Sequence, residues 1–210
     1  MLKEYFTVNK SGSDEYFIQK SRFIGYIKRV ETEEAAQDFI KEIKKKHHDA
    51  THNCSAYLIG QNDEVQKAND DGEPSGTAGL PMLEVLKKQQ LKDTVVVVTR
   101  YFGGVKLGAG GLIRAYGTTT SKAIKKTGVV KRKLMQGYSI TIEYSLLGTL
   151  ENELRQSEHI IDNINYLQNV ELIVYVDVNK TESFLNWLTN LSSDQAIIKE
   201  YNQKYVEIAV

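Results

Sequence analysis

A glycine-rich segment, residues 99–116, is the part of the chain whose composition points most directly to chemistry. Five of its eighteen residues are glycine, three are cationic and none is acidic. It follows the apolar run Val95–Val98 and leads into a run with helical spacing, so we expect a turn between a strand and a helix. Glycine in such a turn costs backbone entropy and is typical of places where the backbone comes close to another group, often an anion at the amide end of a helix.

The spacing of these glycines does not fit two common phosphate motifs. Gly103 and Gly108 have the separation of a Walker A loop, but the residues after Gly108 are not the Lys and Ser or Thr that the motif needs, and GxGxxG is also absent. The alternatives are a closely packed turn and an anion or nucleic-acid site at free amides. The residues that we expect to contact phosphate in the second case are Arg100, Gly103, Gly104, Lys106, Gly108, Gly110, Gly111 and Arg114.

Three acidic residues, Asp70, Asp71 and Glu73, lie in one polar turn. Carboxylates this close together can bind Mg²⁺ or act as acid and base. They are also common turn residues, and they could pair with Arg100 or Arg114 and so orient the glycine-rich segment. We favour the turn with ion pairing and assign no metal site.

Three histidines and the single cysteine lie between residues 47 and 54, but their crowding does not fit a four-ligand zinc site. His52 and Cys54 would share one face of a strand, which leaves a nucleophilic pair as one alternative. Ala56 and Leu58 share that face, and this favours a buried, inert thiol. We therefore assign no catalytic residue and no cofactor, and the sequence does not establish that the protein is an enzyme.

Charge is distributed unevenly along the chain although the formal net charge is zero. Residues 1–136 carry a net +7 and residues 137–210 a net −7, and the stretch 94–142 has nine cations and no acid. Such asymmetry is produced by solvated faces or by a nucleic-acid surface. Aromatic residues near the cations, Phe102 among them, could stack on bases or belong to the core. The remaining cations of this predicted basic patch are Lys122, Lys125, Lys126, Lys131, Arg132 and Lys133.

Hydrophobic periodicity predicts an α+β protein with domains at residues 1–135 and 136–210. The run Val95–Val98 is apolar throughout, as in a central strand. In the first domain we expect strands at 23–30, 54–59 and 95–98, a helix capped by Thr32, a helix at 78–88 and a helix that ends near Lys126 with Gly128 as its cap. The second domain has the order β-α-β-β-α-β of a ferredoxin-like fold, with Thr181 capping its second helix.

Composition places the chain among ordinary globular proteins, with 41% hydrophobic and 26% charged residues. One cysteine excludes an intramolecular disulfide framework and suits a reducing compartment. We see no apolar leader and no run of about 20 apolar residues that would span a bilayer. These features predict a cytoplasmic protein without a membrane partner.

Three segments together resemble the motifs of the IMPACT/YigZ family: His52–Tyr57, Asp70–Leu83 and Arg100–Tyr116. The resemblance covers the first domain to about residue 130, and the short second domain is similar to that of the bacterial members. It implies a first, β/α domain like the second domain of a small-subunit ribosomal protein. It implies a ferredoxin-like second domain similar to the last domain of elongation factor G.

This pairing of domains leads us to expect a protein that binds RNA or the ribosome and is connected with translation or its regulation. Two alternatives remain open. One is an enzyme that binds a phosphorylated small molecule at the glycine-rich turn, with a metal at the acidic turn. The other is a regulatory module with a protein partner in translational control, as in the eukaryotic members of the family.

Overall fold

The computed structural model of the protein describes residues 2–210, which form two compact units. The first unit comprises Tyr5–Lys131 and Ile208–Val210, and the second comprises Leu2–Glu4 and Arg132–Glu207. In the part of the chain so described, each helix is too short or too polar to cross a membrane.

Five helices and ten strands build the two units in an α+β arrangement. The helices are α1 (Glu33–Lys46), α2 (Gly79–Lys88), α3 (Gly108–Thr127), α4 (Tyr144–Gln156) and α5 (Thr181–Leu191). The strands are β1 (Glu4–Val8), β2 (Gly12–Ile18), β3 (Ser21–Arg29), β4 (His52–Ile59), β5 (Val65–Asn69), β6 (Thr94–Tyr101), β7 (Val129–Ile142), β8 (Ile160–Tyr166), β9 (Val170–Asp177) and β10 (Ile197–Ala209).

The first unit is an antiparallel sheet of order β2-β3-β6-β4-β5 with helices on both faces. Strand β6 lies at the centre of the sheet, as its apolar run predicts. Its side chains point alternately to the two faces of the sheet and so belong to two separate hydrophobic cores. Val95 and Val97 pack with the apolar stripe of α1, whereas Val96 and Val98 pack with α2 and α3. The helix α3, which follows the glycine-rich segment, therefore lies on the opposite face of the sheet from α1.

The helix ends in the first unit follow local signals in the sequence. Thr32 caps α1, since its Oγ1 accepts a hydrogen bond of 3.2 Å from the amide of Ala35. Pro81 lies in the first turn of α2, where its missing N–H costs nothing. Helix α3 ends at Thr127, and Gly128 is its C-cap with a φ of 83°. These boundaries confirm the predicted ones.

The second unit is ferredoxin-like, as the order of its elements predicts. In its sheet β9 lies between β7 and β8, and β10 also pairs with β7, so the strands of the β-α-β-β-α-β unit run β10-β7-β9-β8 across the sheet. Leu150 and Leu154 of α4 and Phe184 and Leu188 of α5 pack on one face of this sheet and form its core.

Four elements differ from the prediction. Strands β1 and β2 were not expected. In β2, an edge strand, exposed side chains alternate with half-buried ones, so its apolar pattern is weak. Strand β7 runs without a break through residues 135 and 136, where the sequence predicts a boundary between domains. A Cβ at Gly137 would lie 2.7 Å from the carbonyl oxygen of Asn202, so this glycine lets β10 approach. Thr181 is the first residue of α5 and not its cap, which is Lys180.

Candidate anion-binding site

The loop between β6 and α3 requires glycine at several positions for reasons of backbone geometry. A Cβ at Gly103 would lie 2.1 Å from the backbone of Lys20, and the amide of Gly103 donates a hydrogen bond of 3.2 Å to Oγ of Ser21. Gly104 and Gly108 have φ values of 84° and 70°, in the left-handed region that favours glycine. Close packing therefore explains one of the five glycines, and backbone conformation explains two more.

The amide end of α3 is open, and packing does not explain its composition. Its N-cap, Leu107, forms no side-chain hydrogen bond with the first turn, and that turn holds no acidic residue. A Cβ at Gly110 would meet nothing within 4 Å, so the fold would accept a residue with higher helix propensity there. The free amides of this first turn form the positive end of the helix dipole. The turn itself contains only Gly and Ala, so its own side chains leave the amides accessible to an anion.

Two of the predicted phosphate-contacting cations lie on the surface at this end of the helix. Lys106 precedes α3 in the loop and Arg114 lies in its second turn, and both side chains are exposed. Within residues 2–210, neither forms an ion pair with a carboxylate. Their charges are therefore available to a ligand.

The cations of the predicted basic patch are in different settings. Lys122, Lys125 and Lys126 are on α3. Lys131 lies over the ring of Phe6 in the first unit, at 5.5 Å from the ring centroid.

Arg132 and Lys133 belong to the second unit. Arg132 lies over the ring of Tyr205, at 5.2 Å from the ring centroid. Lys133 pairs with Asp177 at 2.6 Å, and this hydrogen bond raises the pKa of Lys133. Of the predicted basic patch, Lys122, Lys125 and Lys126 thus lie on α3, whereas Arg132 and Lys133 do not belong to the first unit.

Arg100 is buried and pairs with Glu73, so the acidic turn and the glycine-rich segment are joined by an ion pair. The distance from Nη1 to Oε1 is 2.6 Å, and Tyr116 donates a hydrogen bond of 2.8 Å to the same oxygen. The guanidinium lies between the rings of Phe23 and Phe102, with Cζ 5.3 Å from each centroid. Its Nε is buried and has no hydrogen-bond partner among the described residues.

The two aspartates of the acidic turn have structural partners. Asp70 accepts hydrogen bonds from the amides of Gly76, Ala78 and Gly79, and so caps the start of α2. Burial acts to raise the pKa of Asp70, but these three donors outweigh it and the pKa is lowered. Asp71 pairs with Lys44 at 2.6 Å. Among residues 2–210, no group of three or more His, Cys, Asp and Glu side chains is arranged to hold a metal ion.

Cys54 is fully buried, as its apolar strand face predicts. Its thiol lies 2.9 Å from the carbonyl oxygen of Asp70 and 3.3 Å from the hydroxyl of Tyr116. Burial raises the pKa of this thiol to about 12, which disfavours the reactive thiolate. His52 on the same strand has Nδ1 2.8 Å from the carbonyl oxygen of Asp71, and its Nε2 is 3.9 Å from Oε2 of Glu73.

A cavity of about 410 Å³ connects the buried ion pair with the amide end of α3. Its polar wall includes His52, Glu73, Arg100 and Lys106, and Gly108 and Ala109 form the rim at the helix. Phe102, Leu107, Leu112 and Pro74 supply the apolar wall. Sequence reasoning missed Pro74, Leu107 and Leu112 as part of a site. It named Phe102 as an aromatic residue that could stack on a base or belong to the core.

The fold and site define a two-unit α+β protein with a candidate anion site, and comparisons with known proteins place it in a family. A family model described as the Impact N-terminal domain matches residues 19–124, and one described as Domain of unknown function (DUF1949) matches residues 140–195. The IMPACT family member YvyE of Bacillus subtilis (strain 168) is 57% identical over 210 residues, which cover 100% of this chain and 97% of the relative. The chain therefore belongs to the IMPACT family.

Two further matches extend over most of the chain. The IMPACT family member YigZ of Escherichia coli (strain K12) is 36% identical over 177 residues, 83% of this chain and 87% of the relative. A crystal structure described as that of a hypothetical protein has a TM-score of 0.62 and 30% identity, and covers 96% of this chain and 99% of its own. Both units of the fold thus occur in relatives.

Proposed function

We propose that the protein binds RNA through its first unit, as free RNA or as part of the ribosome. The observation that carries the proposal is the amide end of α3, which has no side-chain cap and no acid and is flanked by the unpaired cations Lys106 and Arg114. Backbone amides of Gly108, Ala109 and Gly110 and these two cations would contact phosphate groups, whereas Gly111 is buried within the first turn.

The positive charge continues along α3, which favours a polyanion over a small anion. Arg114 and Lys125 point in nearly the same direction, because their separation of eleven residues is close to three full turns at 3.6 residues per turn. Lys122 lies on the adjoining surface, about 60° around the helix axis from Lys125. At a rise of 1.5 Å per residue, Arg114 and Lys125 are about 16 Å apart along the axis. Successive phosphates of one strand can contact a row of this length, whereas a small anion occupies only its end.

Arg100 has a supporting part in the proposal. Because its guanidinium is buried against Glu73, it positions the loop and does not contact the sugar–phosphate backbone on the surface. Arg132 and Lys133 are in the second unit and are not assigned to the interface.

The connection with translation and the cytoplasmic location belong to the same proposal. They are supported by membership of the IMPACT family and by the resemblance of the two units to a ribosomal-protein domain and to the last domain of elongation factor G. A single buried cysteine agrees with a reducing compartment.

Salt-dependent binding of a single-stranded RNA tests the proposal. If Lys106, Arg114, Lys122, Lys125 and Lys126 all neutralise phosphates, the logarithm of the binding constant should fall with the logarithm of salt concentration at a slope of roughly −3.5. Arg114→Glu should weaken binding and reduce the slope. Lys45→Glu is the control, because it makes the same charge change on α1, on the other face of the sheet.

Two results would contradict RNA binding by α3. One is an Arg114→Glu protein that binds RNA as tightly as the wild type. The other is equal weakening by Arg114→Glu and Lys45→Glu, which would indicate a response to net charge only. Sedimentation with ribosomes at low and high salt, with and without ribonuclease, then separates ribosome binding from binding of free RNA.

A further inference from the structure

We propose that the cavity beside Phe102 receives one nucleotide, with its base stacked on the Phe102 ring and its phosphate at the amide end of α3. The inference rests on the proposed RNA binding and adds a pocket to what would otherwise be a contact with the phosphate backbone alone. A free mononucleotide and one nucleotide of an RNA strand share this chemistry, and the experiment below distinguishes them.

The cavity has the size and the mixed wall of a small-ligand site. Its volume of about 410 Å³ falls in the range of pockets that bind small molecules and cofactors, roughly 300–1,000 Å³. Phe102 and Leu112 offer apolar surface for a flat base, while Lys106 and the start of α3 offer positive charge for a phosphate. A nucleotide combines these two requirements in one molecule.

Phe102 is held as a stacking surface. The Arg100 guanidinium lies over its ring, yet the residue remains 46% exposed. Arg100 is in turn fixed by Glu73 and by the buried ring of Phe23 on its other side. A ring positioned in this way can stack on a base without first being ordered, and aromatic side chains are the usual stacking partners of single-stranded nucleic acids.

Arg100 also supplies an unused hydrogen-bond donor in the cavity wall. The residue is 5% exposed and its Nε is buried without a partner among the described residues, although buried donors in native proteins are nearly always paired. Because Nε has almost no exposed surface in the free protein, the Arg100 side chain would have to shift before an acceptor on an entering base could become its partner. Glu73 Oε2, which points towards His52 at 3.9 Å, offers an acceptor beside it. Together they could pair with a donor and an acceptor on one base edge.

The start of α3 completes the site for phosphate. Gly108 and Ala109 line the cavity, so their amide groups are at its rim, and Lys106 precedes them. The absence of a side-chain cap on Leu107 leaves these amides available. One nucleotide would therefore bridge the stacking ring and the helix terminus.

The test uses the whole chain and two probes, AMP and a fluorescein-labelled adenine dodecaribonucleotide. In the wild type, AMP should shift the ¹H–¹⁵N resonances of Gly108 and Ala109 in a saturable way, and adenosine should bind more weakly because it lacks the phosphate. Phe102→Leu should weaken binding of both probes about tenfold, the size of one base–aromatic stack.

Phe17→Leu is the control for the Phe102 variant. Phe17 is also exposed, and it lies between Tyr16 and Ile18, which pack against the core on the α3 face, so its own side chain is on the opposite face. This variant should bind both probes as the wild type does. If Phe102→Leu proves unfolded by circular dichroism, the wild-type amide shifts of Gly108 and Ala109 decide the question.

The outcomes separate this inference from RNA binding by α3. Unshifted amides with AMP, or a folded Phe102→Leu that binds both probes as tightly as the wild type, would overturn the pocket, while RNA binding that still depends on Arg114 would stand. Binding of AMP without the oligonucleotide would support the pocket as a site for a free nucleotide and refute RNA binding. If neither probe binds, both proposals are wrong.

Discussion

Replacing Glu73 by Ala should strongly destabilise the first unit, because it leaves the charge of Arg100 buried without a counter-ion. The two side chains of this pair are 3% and 6% exposed. Breaking a buried ion pair by removal of one partner costs about 3–5 kcal/mol, a large part of the 5–15 kcal/mol that stabilises a typical domain. If the free energy of unfolding falls by about 2 kcal/mol for each molar of urea, the urea concentration at the unfolding midpoint of the first unit should fall by roughly 2 M.

Glu15→Ala provides a control at an exposed pair of the same length. Glu15 also pairs with an arginine at 2.6 Å, but its side chain and that of Arg22 are 42% and 45% exposed. Exposed pairs contribute about 0–1 kcal/mol, so this variant should unfold close to the wild-type midpoint. The comparison therefore measures what burial adds to an Arg–Glu pair, together with the loss of the hydrogen bond from Tyr116 to Glu73.

The assay can follow the two units separately. The single tryptophan, Trp187, lies on α5 in the second unit, so its fluorescence reports that unit, while far-ultraviolet circular dichroism reports both. Equal midpoints for the Glu73 and Glu15 variants would refute the reasoning. Glu73→Leu combined with Arg100→Met should restore much of the lost stability, because it removes both charges and retains apolar volume.

Two further predictions concern the same unit. Gly110→Glu should leave the fold intact or slightly more stable, because it replaces a helical glycine and its negative charge interacts favourably with the helix dipole. It should nevertheless abolish RNA binding, because it places an anion at the amide end of α3. Thermal unfolding measures the first effect and fluorescence anisotropy the second, and unimpaired RNA binding would contradict the site. Cys54, with its thiol pKa raised to about 12, should resist maleimide at pH 8 in the native protein and react after unfolding in urea, so modification of the native protein at the unfolded rate would disprove its protection.

Local signals predicted the parts of the fold that depend on local interactions. Three such signals are found as expected, and each acts within a few residues. They are the apolar stripe and N-cap of α1, the all-apolar centre of β6 and the glycine after α3. Strand β2 could not be predicted in this way, because an edge strand with polar side chains has a weak pattern.

The candidate site depends more on tertiary packing than the helices do, and local sequence signals predicted it only in part. The glycine-rich segment and its cations were visible in the sequence, and the pairing of the acidic turn with an arginine was one of the alternatives. Glu73 pairs with Arg100 because tertiary packing brings Nη1 of Arg100 within 2.6 Å of Oε1 of Glu73, although 27 positions separate the two residues in the sequence. The sequence alone therefore could not distinguish Arg100 from Arg114 as the partner. The cavity is likewise a product of packing among β4, the acidic turn and α3, and it has no local signature.

The contact of Gly103 with the turn between β2 and β3 couples two distant segments mechanically. Gln19 and Lys20 in that turn both have positive φ, as in a tight hairpin, and Gly103 lies against the backbone of Lys20. The hairpin therefore supports the loop although it lines no part of the cavity. We expect substitutions in this hairpin to make the loop less ordered and so to weaken the proposed nucleotide binding without removing any contact to the nucleotide.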